Sequence, residues 1–434
     1  MPDIVPLIGG VGFMLGAFVF AIMIIVVVHE YGHYIVARWC GVHSEVFSVG
    51  MGPSIWERRD RRGTLWRIAV LPIGGFVRFR GDGDASSTTG GTSADGTLES
   101  VPVWRRSAIV AAGPIANFLF AIAIFAGMVM WMGVPTEDML VGEVQELPTE
   151  VNEIREGDRI LSIEGVSVTE GMSAEELADK IPEREPLAYK VLRNGEEIDV
   201  LGPYFRPPLV RGLIPQGAAR EADLQIGDVI TQVEGEAVLS LPDVSERVEE
   251  LEGEPVSMTI WRGGAEYEVE VTPKRMDLPA DGGFEERWMI GINTGTFFET
   301  VTERPSLLQA ILIGVDRMWY VIETSLSGIY HMLVGAISTC NLSGPGQIAM
   351  TTGDVARDNP MNFPWLVAVL STAVGFMNLL PIPILDGGHL AMHAYEGVTR
   401  RKPSAEVTNI LFYIGMVLII LIMTLAVLSD IICP

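Results

Sequence analysis

The chain reads as a polytopic α-helical membrane protein of four transmembrane helices, with a membrane-associated β-hairpin and two inserted β-rich modules. Three observations lead there. First, four apolar runs, at about 5–36, 107–133, 362–385 and 409–430, each reach the roughly 20 residues that a helix needs to cross a bilayer. Second, the composition is divided: 48% of residues are hydrophobic and mean hydropathy is +0.33, yet the net charge is −25. Residues 137–304 alone hold 38 Asp+Glu against 15 Lys+Arg, so the excess lies in one polar block between the second and third runs. Third, that block repeats itself. EGDRILSIEG (156–165) returns as IGDVITQVEG (226–235), and VLRNGEEIDV (191–200) as IWRGGAEYEV (260–269).

The first run contains 25 consecutive uncharged residues, Ile4 to Val28. It exceeds a signal-peptide core and lacks a basic leader and a small-residue cleavage site, so it reads as a retained span. Its end carries His29, Glu30 and His33, and ionisable groups at membrane depth are costly enough to be functional suspects. The loop that follows holds ten arginines (38, 58, 59, 61, 62, 67, 78, 80, 105 and 106), which places it on the cytoplasmic side. Within it, LWRIAVLPIGGFVRF (65–79) has strand-forming residues on both sides of Gly74-Gly75 and reads as a hairpin beside the membrane.

The acidic block then lies outside and excludes nucleic acid as a partner, since that would require a basic surface. Its two copies, offset by 69–70 residues, each combine alternating strands, a Gly-Asp turn and a late hairpin signal. The pattern resembles tandem PDZ domains. The expected organisation is therefore an N-terminal membrane region of two spans at 1–136, PDZ-like modules at 137–205 and 206–276, a linker with amphipathic membrane-surface helices at 277–360, and a C-terminal membrane region of two spans at 361–434. The uncharged stretch from Thr324 to Gly353 is not counted as a fifth span. Counting it would carry the basic loop Arg400–Lys402 to the outside. Three scattered cysteines (Cys40, Cys340 and Cys433) make neither a disulfide framework nor a CxxC metal pair.

HEYGH (29–33) is an HExxH motif. On a helix, residues i and i+4 share a face, so both imidazoles can ligate one zinc ion, with Glu30 beside them as general base. A third ligand must lie at the same depth. NLLPIPILDGGH (378–389) supplies Asp386 and His389 at the end of the third run, and the four-span topology brings that end to the cytoplasmic face with the histidines. Asp386 is favoured over His389, because a turn at Gly387-Gly388 would let the chain leave while the carboxylate points back. His43, His331 and His393 read as surface or helix-packing residues.

HEYGH on the first span, AAGPIANF (111–118) on the second, NLLPIPILDGG near the end of the third and the PDZ-like repeats between spans resemble the site-2 protease family of intramembrane zinc metalloproteases. The resemblance covers essentially the whole chain. It implies one zinc ion held by His29, His33 and Asp386, with Glu30 as catalytic base and Asn378 and Pro381 in substrate handling. It also implies a strand segment near the site, where Ile68 and Val70 would offer edge amides to an unwound substrate. The implied substrate is a single-span membrane protein, such as an anti-sigma factor, cut within or near its transmembrane segment after its ectodomain has been trimmed. The implied setting is the bacterial inner membrane, surrounded by lipid, with the PDZ-like region periplasmic and the active site towards the cytoplasm. Two rivals are a non-catalytic PDZ membrane adaptor and a metal transporter. The intact Glu30 argues against the first, and the absence of repeated polar spans argues against the second.

Overall fold

The computed structural model describes residues 4–81, 95–136, 138–169, 171–214, 217–280, 283–338, 342–358 and 360–432. Cys340 and Cys433 lie outside the described residues. The chain forms two compact units, Met1–Trp131 with Ser306–Pro434, and Met132–Pro305.

Helix α1 (Ile4–Trp39) is the first span and carries HEYGH in its last turns. It leads into two long strands, β1 (Ser44–Arg59) and β2 (Leu65–Phe79), joined by a turn at residues 60–64. There the Asp60 carboxylate accepts the N–H groups of Arg62 and Thr64. The hairpin expected within 65–79 therefore has its turn elsewhere, and Gly74-Gly75 lies inside β2. The register shows why. Ser44–Val49 pair antiparallel with Gly75–Phe79 on one flank, and on the other face Leu65–Ile68 in a register whose numbers rise together. The outer half of β1, Ser54–Arg59, pairs with Leu65–Ala69. Each strand thus bends and contributes two segments to one sheet. Its inner end packs on α1 through Tyr34, Phe47, Val77 and Phe79, with Phe47 stacked on Trp66 at 4.4 Å between ring centres.

Helix α2 (Val103–Met132) is the second span. The inserted unit follows, beginning with β3 (Val134–Pro135) and β4 (Val141–Val144). The first repeat holds β5 (Arg159–Ile163), β6 (Val166–Ser167), α3 (Ala174–Ala178), β7 (Leu187–Arg193) and β8 (Glu196–Gly202). The second holds β9 (Val210–Leu213), α4 (Ala218–Glu221), β10 (Val229–Val233), β11 (Glu236–Ala237), α5 (Leu241–Glu250), β12 (Val256–Arg262) and β13 (Ala265–Val271). The two sheets share one topology, β6-β5-β7-β8 and β11-β10-β12-β13. They share a register irregularity as well, between Ile160 and Ser162 and between Ile230 and Gln232. The repeat read from sequence is a repeat of structure.

The chain then runs back through both modules as β14 (Lys274–Ala280), β15 (Gly283–Met289), β16 (Ile292–Thr294), β17 (Phe298–Thr300) and β18 (Thr302–Glu303). Strand β16 pairs with β9, β17 with β4, and β18 with β3. Ile290 and Ile292 enter the core of the second repeat, and Phe297 and Phe298 that of the first. The stretch expected to be a linker from residue 277 thus holds strands up to about residue 303: β14 and β15 pair with each other, and β16 to β18 close onto earlier strands of the inserted unit. The partners of β16 to β18 lie about 80 to 170 residues away in sequence, and short strands of two or three residues give no periodicity that would announce them.

Beyond the inserted unit come α6 (Leu307–Leu333), α7 (Pro345–Asp358), α8 (Phe363–Leu379), α9 (Asp386–Thr399) and α10 (Ala405–Ile432). Among the described residues, four helices are long and apolar enough to cross a membrane: Gly10–Trp39, Val103–Met132, Pro360–Leu379 and Ala405–Ile432. Among the described residues the stretch 324–353 adds no fifth, being divided between the end of α6 and the start of α7. Helix α6 occupies part of the stretch expected to hold amphipathic membrane-surface helices. Its Gly314 sits against the Ile122 carbonyl of α2, while Leu308, Leu312, Trp319 and Tyr320 stay exposed. Helix α7 packs closely on α1 at Gly353 and Met14, and the Asp430 carboxylate of α10 accepts the N–H groups of Gly344 and Gly346 at its start.

Candidate active site

His29 and His33 lie one turn apart on α1, and their Nε2 atoms approach to 3.1 Å. Asp386, the first residue of α9, brings its Oδ2 to 3.0 Å from His29 Nε2 and 3.4 Å from His33 Nε2. Side-chain exposure at the three is 11%, 12% and 18%. Asp386 Oδ2 is buried and receives no hydrogen bond, although both contacts are short enough for one. His33 Nδ1 donates to the Ile109 carbonyl at 2.8 Å, which leaves Nε2 as the nitrogen available to a metal. His29 Nδ1 meets the Asn117 amide at 3.3 Å, and the Asn117 Oδ1 is itself buried without a partner. Turning that amide over would let Oδ1 accept from His29 Nδ1–H, and oxygen and nitrogen are interchangeable in such an assignment. Both Nε2 atoms then face a carboxylate oxygen at 3.0 and 3.4 Å. A metal cation would satisfy all three.

The donor set also fits zinc in size. Bonds of about 2.0–2.1 Å to a tetrahedral ion place the ligand atoms roughly 3.4 Å apart, and the edges here are 3.0, 3.1 and 3.4 Å. Three protein ligands leave one coordination position open, as in catalytic zinc sites. His29, His33 and Asp386 form the one group of this kind among the described residues. His389, the rival ligand, is not part of it, nor are His43, His331 and His393. His331 Nδ1 bonds the Ser327 carbonyl on α6, and His393 is buried on α9.

Close helix contact makes the convergence possible. Gly32 of α1 lies against α2 so tightly that a Cβ there would stand 2.3 Å from the Ala112 carbonyl oxygen. A Cβ on Gly113 would stand 2.3 Å from His33 Nε2 and 2.8 Å from His29 Nε2, so the imidazoles occupy the space that a side chain would fill. Beyond α8, Pro381 and Pro383 keep the chain irregular until α9 begins at Asp386. Gly387 and Gly388 are helical and buried rather than a turn, and a Cβ on either would meet the backbone of residues 379–383 at 2.2–2.4 Å. They serve close packing, which aims the carboxylate as the expected turn would have done.

Glu30 is not a member of the three-atom cluster. Its Oε2 accepts the Val77 N–H at 3.1 Å, which ties it to the inner end of β2. Gly75 is beside it, where a Cβ would lie 3.7 Å from Glu30 Cγ. Ile68, expected to offer an edge amide, has strand partners on both flanks, Val49 and Trp56. Val70 is exposed on the same strand. The part of β2 that reaches Glu30 is Gly75–Val77. Asn378, near the end of α8, donates to the Val374 carbonyl at 2.9 Å, and Pro381 is exposed in the break that follows. The residues not anticipated are those that orient the ligands: the Ile109 carbonyl, Gly113 and Asn117. A polar Asn117 four residues after Gly113 in an apolar span was the available signal.

The model of peptidase family M50 matches residues 17–422. The chain is 30% identical to Protease RseP of Yersinia pestis over 449 residues, covering 96% of this chain and 98% of the relative. It is 29% identical to the regulator of sigma-E protease RseP of Escherichia coli, with the same coverage of both. A relative in Agrobacterium fabrum with zinc metalloprotease in its name is 30% identical, covering 97% of each chain. The spanning helices, the His-His-Asp cluster and these likenesses agree: the chain belongs to peptidase family M50, the site-2 type of zinc metalloprotease.

Proposed function

We propose that His29, His33 and Asp386 hold the catalytic zinc, and that Glu30 is the general base of an intramembrane endopeptidase. The observation that carries this reading is the meeting of three metal-ligating atoms 3.0–3.4 Å apart, buried between apolar helices. Zinc held there would supply a Lewis acid that activates water and polarises the scissile carbonyl. Glu30, adjacent in sequence and free of the ligand set, takes the proton of the attacking water and returns it to the leaving amine. Its bond to the Val77 N–H holds the carboxylate in place between the two transfers.

The substrate is a single-span membrane protein, and its helix must open before a carbonyl can be attacked, because each amide unpaired in lipid costs several kcal/mol. The flank of β2 opposite Ser44–Val49 is the suitable partner for the opened strand, by strand addition at Gly75, beside the Val77 N–H that Glu30 occupies, rather than at Ile68 and Val70. Asn378 and Pro381, at the broken end of α8, would bind from the other side. The named regulators of sigma-E among the relatives favour an anti-sigma factor, trimmed outside and then cut, in the bacterial inner membrane. The two β-rich repeats then serve as PDZ-like periplasmic modules, with the site towards the cytoplasm.

Metal analysis combined with cleavage of a transmembrane test substrate examines the reading. Glu30→Gln should retain zinc and lose cleavage, whereas His33→Ala and Asp386→Ala should lose both. Equal zinc in all variants would falsify the ligand set. Tags at residues 60, 240 and 401 should map inside, outside and inside, and an outside tag at 401 overturns the sidedness.

A further inference from the structure

Helix α2 reaches the candidate centre through one stripe. Arg106, Ile109, Gly113 and Asn117 are spaced by three, four and four residues and share a face. Ile109 and Asn117 orient the two imidazoles, and Gly113 makes room for them. The fourth member has no contact with a ligand in that scheme. Its guanidinium instead grips Glu396 of α9 with two bonds, Nη2 to Oε1 at 2.8 Å and Nη1 to Oε2 at 3.1 Å. The two side chains are 8% and 13% exposed. Glu396 stands ten residues, about 15 Å of helix, beyond Asp386 on the same rigid element.

We propose that Arg106 and Glu396 are a positioning pair that sets the register of α9 against α2 and so holds Asp386 at bonding distance from both histidines. The inference rests on the reading of Asp386 as a zinc ligand. Helix α9 needs such an anchor. It emerges from an irregular stretch, and Leu385 at its N-cap supplies no side-chain bond. A bidentate guanidinium–carboxylate contact fixes both rotation and translation, which a single hydrogen bond does not. The other ion pair at this end, Lys402 with Glu99, has a lysine that is 56% exposed, and exposed pairs contribute little. His393, one turn before Glu396, does not compete for the carboxylate, because burial pushes its pKa down to about 4 and leaves it neutral. Arg106 in turn holds the Glu396 carboxyl below its usual range.

The test uses the full chain in detergent. Zinc affinity is read by chelator competition, ligand geometry by the visible bands of the cobalt-substituted protein, and turnover on a transmembrane test substrate as kcat and KM. Glu396→Gln, nearly isosteric, should weaken zinc by about 10-fold or more, within the range for partners that orient ligands. It should also shift the cobalt bands and lower kcat with KM unchanged. Arg106→Lys, which keeps the charge but not the fork, should move the same readouts less. The double exchange Arg106→Glu with Glu396→Arg should recover part of the loss, and Lys402→Ala should match wild type. Wild-type zinc affinity and cobalt bands in Glu396→Gln, with zinc lost in Asp386→Ala, overturn the pair alone. Zinc retained in Asp386→Ala overturns the ligand set, and the pair with it. If Glu396→Gln does not fold, Arg106→Lys decides by the same readouts.

Discussion

Both units withdraw aspartates from water, and they treat them oppositely. In the inserted unit, Asp158 and Asp228 are each 1% exposed and fully engaged. Arg193 donates Nε and Nη2 to Asp158 at 2.7 Å, and Arg262 donates the same atoms to Asp228 at 2.6 and 2.7 Å. A backbone N–H adds a bond in each, from Arg155 and from Gln225. In the transmembrane unit, Asp386 keeps an oxygen without a hydrogen bond and turns it towards two imidazole nitrogens. A buried carboxylate whose every site is filled by protein donors is a structural joint. One that faces two imidazole nitrogens is suited to hold a cation, because an uncompensated charge in that setting would be strongly unfavourable.

The largest effect expected from breaking this contrast falls in the inserted unit. Asp158→Ala strands Arg193 and should cost about 3 kcal/mol, the low end for halving a buried pair because the arginine keeps some access to water. Urea unfolding of the full chain followed by tryptophan fluorescence should show an earlier transition, with zinc content unchanged. Acid makes the same point. Burial pushes the Asp158 carboxyl up, but Arg193 and the Arg155 N–H outweigh it and hold the group below the ordinary range. Its contribution is therefore complete above the unfolded value of about 3.9 and fades as pH falls below that, through the lower folded value. In Asp158→Ala this share of the acid sensitivity should be missing, and an unaltered acid profile would deny the joint its role.

The next effect lies at the metal centre. Asn117→Ala removes the group that orients His29, and such outer partners are worth about 10–100-fold in metal affinity. Chelator competition should show that loss while the urea transition of the inserted unit stays in place. If zinc binding is unchanged, His29 is oriented without Asn117.

The smallest effect sharpens the comparison between the repeats. Helix α5 opens with a reciprocal cap between Ser240 and Asp243, whereas the five-residue α3 has only Ser173 bonded to the Glu176 N–H. Ser240→Ala should cost about 1 kcal/mol and be felt chiefly in the second repeat. Hydrogen exchange resolved by peptide would reveal this, and equal loosening of both repeats would mean that they unfold as one.

Sequence alone determined what depends on neighbours a few residues away. Four apolar runs became the four long apolar helices because helix bonds and apolar length are local properties. HEYGH put His29 and His33 on one face for the same reason, and the 70-residue offset foretold two sheets of one topology, since like sequences make like turns. Tertiary structure decided whatever depends on separate parts of the chain meeting. It set the inner end of β2 against Glu30 and gave Ile68 two strand partners, because a strand's edges are defined by what pairs with it. It recruited residues 292–303 to close both modules, through partners too remote for periodicity to indicate. It brought Asp386 to within 3.4 Å of two histidines more than 350 residues away, across an α2 whose small residues let the helices touch. Residue types name a possible chemistry, and only packing brings their atoms to bonding distance.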